Sequence, residues 1–286
     1  MKILDVKIDN YRNAQLKGAI GDALNGTKKI KVSKINTEFL QRSLKDDNFR
    51  DILNNSDLNI VDGRGVLWAA RYLTLPVSKN KIVRFVQSIY QMIYSGASIV
   101  LNPKFVNYPI PEAIPGIEAF NLFLKTASDC NSSVFLFGGY EKVLTSAVQK
   151  IKQDFPKLKI SGTMNGYDFQ KEGGIDPVAE INKTNAKMLI VALGSPRQER
   201  WINDNIGKLK NIKIAVGEGG TLDRIANPRI KSPKFINSIG LEWLWRTLFN
   251  KSKTETRNRL QKFWNAVPLF IYNVVKWKVK NGQTKA

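Results

Sequence analysis

The chain has 286 residues, with 45 Lys and Arg against 24 Asp and Glu, a formal net charge of +21, and no histidine. The absence of histidine excludes Ser-His-Asp and Cys-His nucleophile systems, histidine-bound zinc and histidine general bases. Cys130 is the only cysteine, which excludes an intrachain disulfide and a cysteine-cluster metal site. Acid–base chemistry therefore has to come from Asp, Glu, Lys, Tyr or groups assisted by Arg.

The positive charge is concentrated toward the C-terminal end of the chain. Residues 225–286 hold 13 Lys and Arg against 2 acidic residues, together with four of the six tryptophans. A large basic excess predicts attraction to an anionic partner, which can be nucleic acid, phospholipid headgroups or a phosphorylated substrate. Basic residues interleaved with Trp, Phe and Leu are typical of a segment that binds at a membrane interface.

No part of the sequence has the pattern of a signal peptide or a membrane span. Charged residues follow Met1 too early for the apolar region of a signal peptide. Residues 266–275, an apolar run near the C-terminus, fall far short of the roughly 20 residues that a spanning helix needs. We therefore expect a protein that is made in the cytosol and does not span a membrane.

The first 224 residues alternate between strand-like and helix-like segments, which predicts an α/β fold: a Rossmann-like, mostly parallel sheet with helices on both faces. Strands are predicted at residues 3–8, 29–32, 58–61, 133–137, 159–162, 188–193 and 213–216. Helices are predicted at residues 11–24, 37–53, 63–72, 142–154, 178–183 and 197–206. The strands are continuous apolar runs, which favours a parallel sheet covered on both faces.

Two segments differ from this alternation. Residues 77–114 contain an apolar and aromatic run over 83–100, which is either a helix packed on the core or a second surface-seeking element. After residue 224 the pattern predicts a helix over 235–249 and basic amphipathic segments over 253–280, broken at Pro268. We therefore predict a catalytic domain over 1–224, with an inserted segment at 77–114, and a basic helical C-terminal appendage over 225–286 that docks at a membrane.

Three of the predicted strands run directly into loops that contain glycine. The loops begin at Gly138-Gly139, Gly194-Ser195-Pro196 and Gly217-Glu218-Gly219. Ligands of open parallel sheets bind beyond the carboxyl ends of strands, where glycine lets phosphates approach backbone N–H groups. A single glycine loop is equally explained by a tight turn, and none of the three matches a dinucleotide fingerprint or a Walker loop. Three loops at one edge of the sheet favour a ligand site.

Two segments at strand ends carry candidate chemistry. Asp62 closes a predicted strand and precedes Gly63, so its carboxylate is either a catalytic group or a helix N-cap. Residues 194–199 combine a helix start with the side chains of Gln198 and Glu199, and here too Ser195 before Pro196 is a favoured capping sequence. The residues alone leave both alternatives open at each place.

An ordered series of motifs resembles glycosyltransferase family 26, the N-acetylmannosaminyltransferases of teichoic-acid and enterobacterial common antigen synthesis. The series consists of Asn36 with Glu38, Val61-Asp62-Gly63-Arg64-Gly65 with the helix that follows, Gly116 with Glu118, Phe137-Gly138-Gly139, Asn165-Gly166-Tyr167, Gly194-x-Pro196-x-Gln198-Glu199-x-Trp201, Gly217-x-Gly219-Gly220-x-x-Asp223, Lys231-Ser232-Pro233 and Gly240-Leu241-Glu242-Trp243-x-x-Arg246. Order and spacing agree from about residue 3 to residue 260.

This resemblance implies inverting transfer of a sugar, N-acetylmannosamine-like or a related hexose, from a UDP-sugar to a polyprenyl-pyrophosphate-linked sugar in cell-surface polysaccharide synthesis. It implies that the reaction uses no catalytic metal or other cofactor. It also implies a peripheral location on the inner face of the cell membrane and an appendage that completes the active site. Whether the chain forms a homo-oligomer stays open. Asp62 is implied as the general base. The implied substrate-binding residues are Asn36, Gly63, Gly138, Gly139, Gly194, Gln198, Glu199, Gly217, Gly219 and, for the donor pyrophosphate, the appendage arginines Arg246, Arg257 and Arg259.

The residues support a metal-free route, because no Asp-x-Asp triplet occurs in the sequence. A leaving nucleoside diphosphate then needs Arg, Lys and backbone N–H groups to meet its charge. The chain departs from the family pattern at Lys34, where the family has Thr, at Glu118, where it has Asp, at Ala113, near the place of an Arg, and at Lys231-Ser232, where it has Arg-Ala. These differences bear on the donor sugar and acceptor more than on the reaction class.

Two other functions remain to be weighed. A basic nucleic-acid-binding protein would explain the charge, but no recognition motif occurs and the basic excess lies with Trp-rich apolar faces, so we expect no nucleic-acid partner. An inactive membrane-bound relative of the family is the other alternative. The presence of Asp62, Gln198 and Glu199 together argues against it.

Overall fold

The structure is a computed structural model, and it describes residues 1–166, 174–226 and 253–285, with the side chains of the last segment described from residue 267 onward. A hairpin of β1 (Lys2–Ile3) and β2 (Val6–Lys7) precedes a six-stranded parallel sheet. The strands of that sheet are β3 Ile30–Ile35, β4 Leu58–Val61, β5 Ser133–Gly138, β6 Lys159–Met164, β7 Met188–Ala192 and β8 Ile214–Gly217, in the order β4-β3-β8-β7-β5-β6.

Helices fill the connections between the strands. They are α1 Asn13–Asn25, α2 Thr37–Ser43, α3 Asp47–Asn54, α4 Arg64–Thr74, α5 Lys81–Leu101, α6 Gly116–Asp129, α7 Glu141–Asp154, α8 Pro177–Asn182, α9 Arg197–Asn205, α10 Thr221–Ala226 and α11 Lys253–Asn281, with 3-10 turns at Pro103–Val106 and Ile206–Lys208. The predicted α/β fold, a parallel sheet flanked by helices with a C-terminal helix added, is confirmed.

Successive side chains of a strand point to opposite faces of the sheet. Helices cover both faces, so the side chains on each face are buried in a cluster of their own. In β5, Val134 and Leu136 join the cluster formed with α1, α6 and α7, whereas Phe135 and Phe137 join the cluster formed with α8 and α9. This double burial explains why β5, β7 and β8 have continuous apolar sequences. A third cluster lies beyond the β4 edge, where the hairpin, α2, α3, α4 and α11 meet.

The chain changes direction between the neighbouring strands β3 and β8. From β3 it continues through α2 and α3 to β4 on the outer side, whereas β8 leads into α10, which packs against α7 and α6. Such a switch point opens a crevice at the carboxyl ends of the two strands, which is where open α/β sheets bind ligands.

Two predicted elements of the N-terminal part are wrong in their extent. Residues 3–8 form a hairpin instead of one strand, because Leu4 and Asp5 adopt φ values of 48° and 65° and reverse the chain. The helix predicted over 37–53 is divided into α2 and α3. The division falls at Asp46, whose carboxylate accepts a hydrogen bond from the backbone N–H of Phe49 at 2.9 Å and starts a new helix.

The C-terminal helix α11 packs on the third cluster. Phe270, Val274 and Val275 are buried there, and the ring of Phe270 meets Trp68 of α4 edge-on at 6.3 Å between centroids. The helix continues through Pro268, so the predicted break there is wrong; the apolar contacts that follow stabilise helical backbone on the far side of the proline. The helix predicted over 235–249 lies outside the described residues.

Within the described residues, no helix is both long enough and apolar enough to cross a membrane.

Candidate active site at the carboxyl edge of the sheet

Asn36 and Asp62 directly follow the adjacent strands β3 and β4. The backbone N–H of Asp62 donates to the carbonyl of Ile35 at 2.8 Å, which extends the strand pairing to the first residue of the loop. Asn36 is the N-cap of α2, since its Oδ1 accepts from the N–H of Phe39 at 3.0 Å. The N-cap of α4 is Gly63, with φ +103°, so Asp62 lies one residue before the capping position.

A buried ion pair lies next to Asp62. Lys34 Nζ, on β3, pairs with Glu218 Oε2, which immediately follows β8, and both side chains are almost fully buried. Lys34 Nζ also reaches the carbonyl of Gly116, at the start of α6, at 3.5 Å. A Cβ built on Gly116 would stand 3.5 Å from Lys34 Nζ, 3.6 Å from Asp62 Oδ2 and 3.9 Å from Thr221 Oγ1, so these three side chains converge on one backbone position.

The electrostatics of this cluster are dominated by desolvation. Burial raises the pKa of Glu218 above its usual range, the Lys34 ammonium opposes that rise, and the neighbouring Asp62 carboxylate adds to it. Lys34 and Glu218 are buried and Asp62 is partly exposed beside them, so one ammonium group lies near two carboxylates. Such clusters of coupled titratable groups are typical of catalytic sites.

The glycine loops after β5 and β7 form the second part of the edge. Gly138 has φ +123°, and a Cβ there would lie 2.4 Å from the carbonyl carbon and oxygen of Ala192, so no other residue fits. The N–H of Gly139 donates to the Ala192 carbonyl at 3.0 Å, and the N–H of Gly166 donates to the Gly139 carbonyl at 3.0 Å. The loops are thereby held together by backbone contacts.

Gln198 and Glu199 lie inside this second part and are buried. Gln198 accepts a hydrogen bond from the N–H of Gly219 at 2.9 Å and donates to Glu199 Oε1 at 2.7 Å. A Cβ on Gly217 would collide with both side chains, at 2.6 Å and 2.8 Å. Burial raises the pKa of Glu199, and the hydrogen bond that Gln198 donates opposes that rise. In the described structure the side chains of Gln198 and Glu199 hold the loops after β7 and β8 together. Gly194 lies beside them, since a Cβ built on Gly219 would stand 4.0 Å from the Cα of Gly194.

Glu218 joins the two parts of the edge. Its backbone N–H donates to the Val191 carbonyl of β7 at 2.7 Å, its neighbours Gly217 and Gly219 contact Gln198, and its carboxylate holds Lys34 beside Asp62. A Cβ on Gly63 or on Gly220 would meet no described heavy atom within 4 Å, so there is open space on either side of Glu218 along this edge.

Three charged residues were not among the predicted site residues, although the structure brings two of them to Asp62. Lys34 and Glu218 are the buried pair described above. Arg64 is the first residue of α4; its Nη1 is buried and finds no hydrogen-bond partner among the described residues, and burial lowers the pKa of its guanidinium. Lys34 lies two residues beyond the strand predicted at 29–32, and the one signal at this position was a lysine in place of the Thr of the family pattern. Of the predicted arginines, Arg246 and the side chains of Arg257 and Arg259 lie outside what the structure describes.

The arrangement offers a carboxylate, Asp62, and a guanidinium, Arg64, at this edge of the sheet, whereas the backbone N–H groups of Gly139 and Gly219 already donate to acceptors within the protein. The carboxylate can accept a proton and the guanidinium can bind an anionic ligand. Within residues 1–166, 174–226 and 253–285, no three acidic or cysteine side chains come together in a way that could hold a metal ion.

Together, the parallel sheet and the helices on its faces define a Rossmann-like α/β protein with a candidate ligand site at the carboxyl edge of the sheet. The model of the glycosyl transferase WecG/TagA/CpsF family matches residues 1–92 and 78–284, so the chain belongs to that family.

Several characterised relatives are similar to this chain, and each is an N-acetylglucosaminyldiphosphoundecaprenol N-acetyl-beta-D-mannosaminyltransferase. That of Bacillus spizizenii is 29% identical over 175 residues, which are 60% of this chain and 65% of the relative, slightly under two thirds of its length. That of Bacillus subtilis is 26% identical over 219 residues, 77% of this chain and 71% of the relative. That of Staphylococcus aureus strain MRSA252 is 26% identical over 194 residues, 68% of this chain and 72% of the relative.

Proposed function

We propose that the chain is a glycosyltransferase that moves a sugar from a UDP-sugar, with inversion, onto a sugar carried by a polyprenyl diphosphate in the synthesis of a cell-surface polymer. Family membership and the names of the relatives support the transfer reaction and the lipid-linked acceptor. The observation that carries the proposal is the position of Asp62, next to the β3–β8 switch point and beside the open space at Gly63.

In this mechanism the Asp62 carboxylate accepts the proton of the acceptor hydroxyl as that oxygen attacks the anomeric carbon of the donor. The new glycosidic C–O bond forms on the face opposite the bond between the anomeric carbon and the diphosphate oxygen, which breaks. The electron pair of that bond leaves with UDP. Lys34 and Glu218 hold the surroundings of Asp62 in place, because both are buried and paired.

The departing diphosphate carries negative charge that has to be met on the protein. We assign this role to Arg64 and to the appendage arginines Arg246, Arg257 and Arg259. The lack of an Asp-x-Asp triplet in the sequence supports transfer without a divalent metal. The division into a catalytic domain over 1–224 and a membrane-docking appendage over 225–286 belongs to the same proposal, with residues 267–285 packed on the catalytic domain.

The test is release of UDP from a panel of UDP-hexoses and UDP-N-acetylhexosamines, with N-acetylglucosamine linked through diphosphate to a short polyprenyl chain as acceptor. We expect one donor to be used and the activity to persist in EDTA. Asp62→Asn should lower turnover by roughly 10²- to 10⁴-fold. Asp154→Asn, which changes a surface carboxylate paired with Lys150 on α7, serves as the matched control and should leave turnover unchanged.

Near-normal turnover of Asp62→Asn would remove Asp62 from the role of general base. Loss of activity in EDTA that Mg²⁺ or Mn²⁺ restores would show that a metal neutralises the diphosphate. Absence of UDP release with every donor would contradict the proposed reaction.

A further inference from the structure

Helix α5 presents its apolar side to solvent. Its exposed face follows a helical repeat along the whole length of the helix and is made of large apolar and aromatic side chains. They are Ile82, Val83, Phe85, Val86, Tyr90, Ile93, Tyr94, Val100 and Leu101. An amphipathic helix of a globular protein normally turns such a face toward the core. At 1.5 Å per residue the face is about 30 Å long, and exposed apolar patches of this kind mark interaction sites.

The inner face of α5 combines three buried serines, Ser88, Ser95 and Ser98, with apolar side chains that are partly buried against the third cluster. Those apolar side chains are Ile89, Met92 and Ile99. Ser95 Oγ accepts a hydrogen bond from the indole N–H of Trp68 at 2.9 Å, and the carbonyl of Ser88 accepts one from the Tyr72 hydroxyl at 3.1 Å. The helix is therefore fixed on α4 by specific polar contacts, and its outward apolar face is the consequence of a defined docking orientation.

The C-terminal helix α11 fixes α5 from another side. Lys278 Nζ donates to Gln91 Oε1 at 2.6 Å and to the carbonyl of Tyr72, and the Arg84 guanidinium donates to the Val279 carbonyl at 3.3 Å. Leu269 and Tyr272 of α11 are exposed as well. Helices α5 and α11 thus form one continuous layer that carries exposed apolar side chains.

The chain segment that carries α5 has no acidic residue. Residues 63–111 contain no Asp or Glu, while Lys79, Lys81 and Lys104 lie at the two ends of α5, and Lys276 and Lys280 are exposed on α11. An apolar face bordered by lysines and carrying tyrosines has the composition of a helix that lies in the plane of an anionic membrane interface.

We propose that the exposed face of α5 docks on a bilayer that contains anionic lipid, with the helix parallel to the surface and its apolar side chains inserted among the acyl chains. The proposal rests on the proposed function, since a polyprenyl-linked acceptor is what places this chain at a bilayer. The lysines at the ends of α5 and on α11 contact the lipid headgroups.

The charge argues against a second copy of the chain as the occupant of this face. A symmetric dimer brings the same patch of both subunits together. It would therefore set the lysines that border α5 against their own copies, with no acidic residue of 63–111 to offset them. Anionic headgroups complement the same lysines.

Docking through α5 also orients the candidate active site. Helix α4 begins at Arg64, two residues after Asp62, and packs on α5 through Trp68 and Tyr72. The geometry of the α4–α5 pair is thereby fixed, so the surface that α5 contacts has a fixed position relative to Asp62.

The experiment compares the full chain with Val86→Gln/Ile93→Gln, which changes two side chains that are 61% and 63% exposed. The matched control is Ile175→Gln, at an apolar residue that is 50% exposed and lies far from α5 in the sequence. Binding is measured by flotation with vesicles of phosphatidylcholine, with and without phosphatidylglycerol. Thermal unfolding, sedimentation and UDP release with a short-chain acceptor in solution are measured on the same samples.

We expect the wild type and Ile175→Gln to bind the vesicles that contain phosphatidylglycerol. Val86→Gln/Ile93→Gln should bind them at least roughly tenfold more weakly, with unchanged unfolding temperature and unchanged transfer to the soluble acceptor. Loss of vesicle binding in this variant, in a chain that uses none of the donors, would support the docking surface while contradicting the proposed function.

Equal vesicle binding by wild type and Val86→Gln/Ile93→Gln would overturn the proposal, as would binding that does not depend on phosphatidylglycerol. A wild-type dimer that the double substitution turns into a monomer, with vesicle binding unchanged, would assign the face to a second copy.

Discussion

Lys34 and Glu218 form an ion pair that is almost fully removed from water, one on β3 and the other directly after β8. A buried pair of this kind is costly to break, because the remaining partner keeps its desolvation cost without compensation. The pair also borders Asp62 through Gly116. Breaking the Lys34–Glu218 pair would therefore change both the stability of the protein and the environment of the proposed base.

Lys34→Met should destabilise the protein, by about 3–5 kcal/mol near pH 8, and by less toward pH 5. Burial already raises the pKa of Glu218 above the unfolded value of 4.5 in the presence of Lys34, and removal of the ammonium raises it further. A carboxyl with a raised folded pKa binds its proton more tightly in the folded state, so its stabilisation is present at low pH and is lost as the pH rises through the folded pKa. Urea unfolding at several pH values measures the effect.

The control for this prediction is Lys34→Met/Glu218→Gln, which has no buried carboxylate to leave unpaired. We expect it to recover most of the lost stability and to show the same stability change at pH 5 and pH 8. A single variant Lys34→Met as stable as wild type at pH 8 would contradict the ion pair.

At this scale the sequence predicts what is local. Asp62 and the glycines of the three loops follow strand ends, and their neighbours in the sequence mark them. The partnership of Lys34 with Glu218 joins residues 184 positions apart, and it exists only because β3 and β8 become neighbours in the sheet. Lys34 differs from the Thr of the family pattern, but that difference does not identify its partner.

The secondary-structure elements were predicted well where burial is uniform. Strands β4, β5, β7 and β8 are recognisable because both of their faces are covered, which favours apolar residues along the whole strand. The errors fall where one local interaction outweighs periodicity: the Leu4–Asp5 turn, the N-cap at Asp46 and the helix that continues through Pro268. For residues 83–100 the apolar run left two alternatives open, a helix packed on the core or a surface-seeking element. Only the packing partner decides which face is buried.

Helix α11 provides a test of how far the C-terminal segment is part of the core. Phe270→Ala should lower the free energy of unfolding by about 3–5 kcal/mol, because the ring is 2% exposed and packs against Trp68. Tyr272→Ala, two residues further along and 59% exposed, is the matched control and should stay within about 0.5 kcal/mol of wild type. Chemical unfolding of the two variants gives both values. Equal effects would mean that α11 is not packed as described.

For the whole molecule, the net charge of +21 bears on association with a membrane more than on the fold. The basic excess of the C-terminal residues and the acid-free stretch over 63–111 are far apart in the sequence. The packing of α11 on α4 and α5 brings parts of both together. The sequence shows each segment, but their proximity depends on tertiary contacts that composition does not reveal.

Transfer to an acceptor embedded in anionic vesicles should therefore depend on salt. Raising the ionic strength from about 0.01 M to about 1 M shortens the Debye length from about 30 Å to about 3 Å. Since each cation near an anionic leaflet contributes about 1 kcal/mol, we expect the rate with the vesicle-borne acceptor to fall at least roughly tenfold. The rate with a short-chain acceptor in solution is the control and should change much less. Equal salt dependence with both acceptors would contradict electrostatic docking.

Glu218 lies between Gly217 and Gly219, so its main chain belongs to the loops that contact Gln198 and its side chain belongs to the cluster around Asp62. Any shift of these loops when a ligand binds displaces the carboxylate that holds Lys34. A ligand at one end of the edge would thereby affect the surroundings of the proposed base at the other. Under the proposed function, the affinity for each substrate would then depend on whether the other is bound, through the contacts from Gln198 through Glu218 to Lys34.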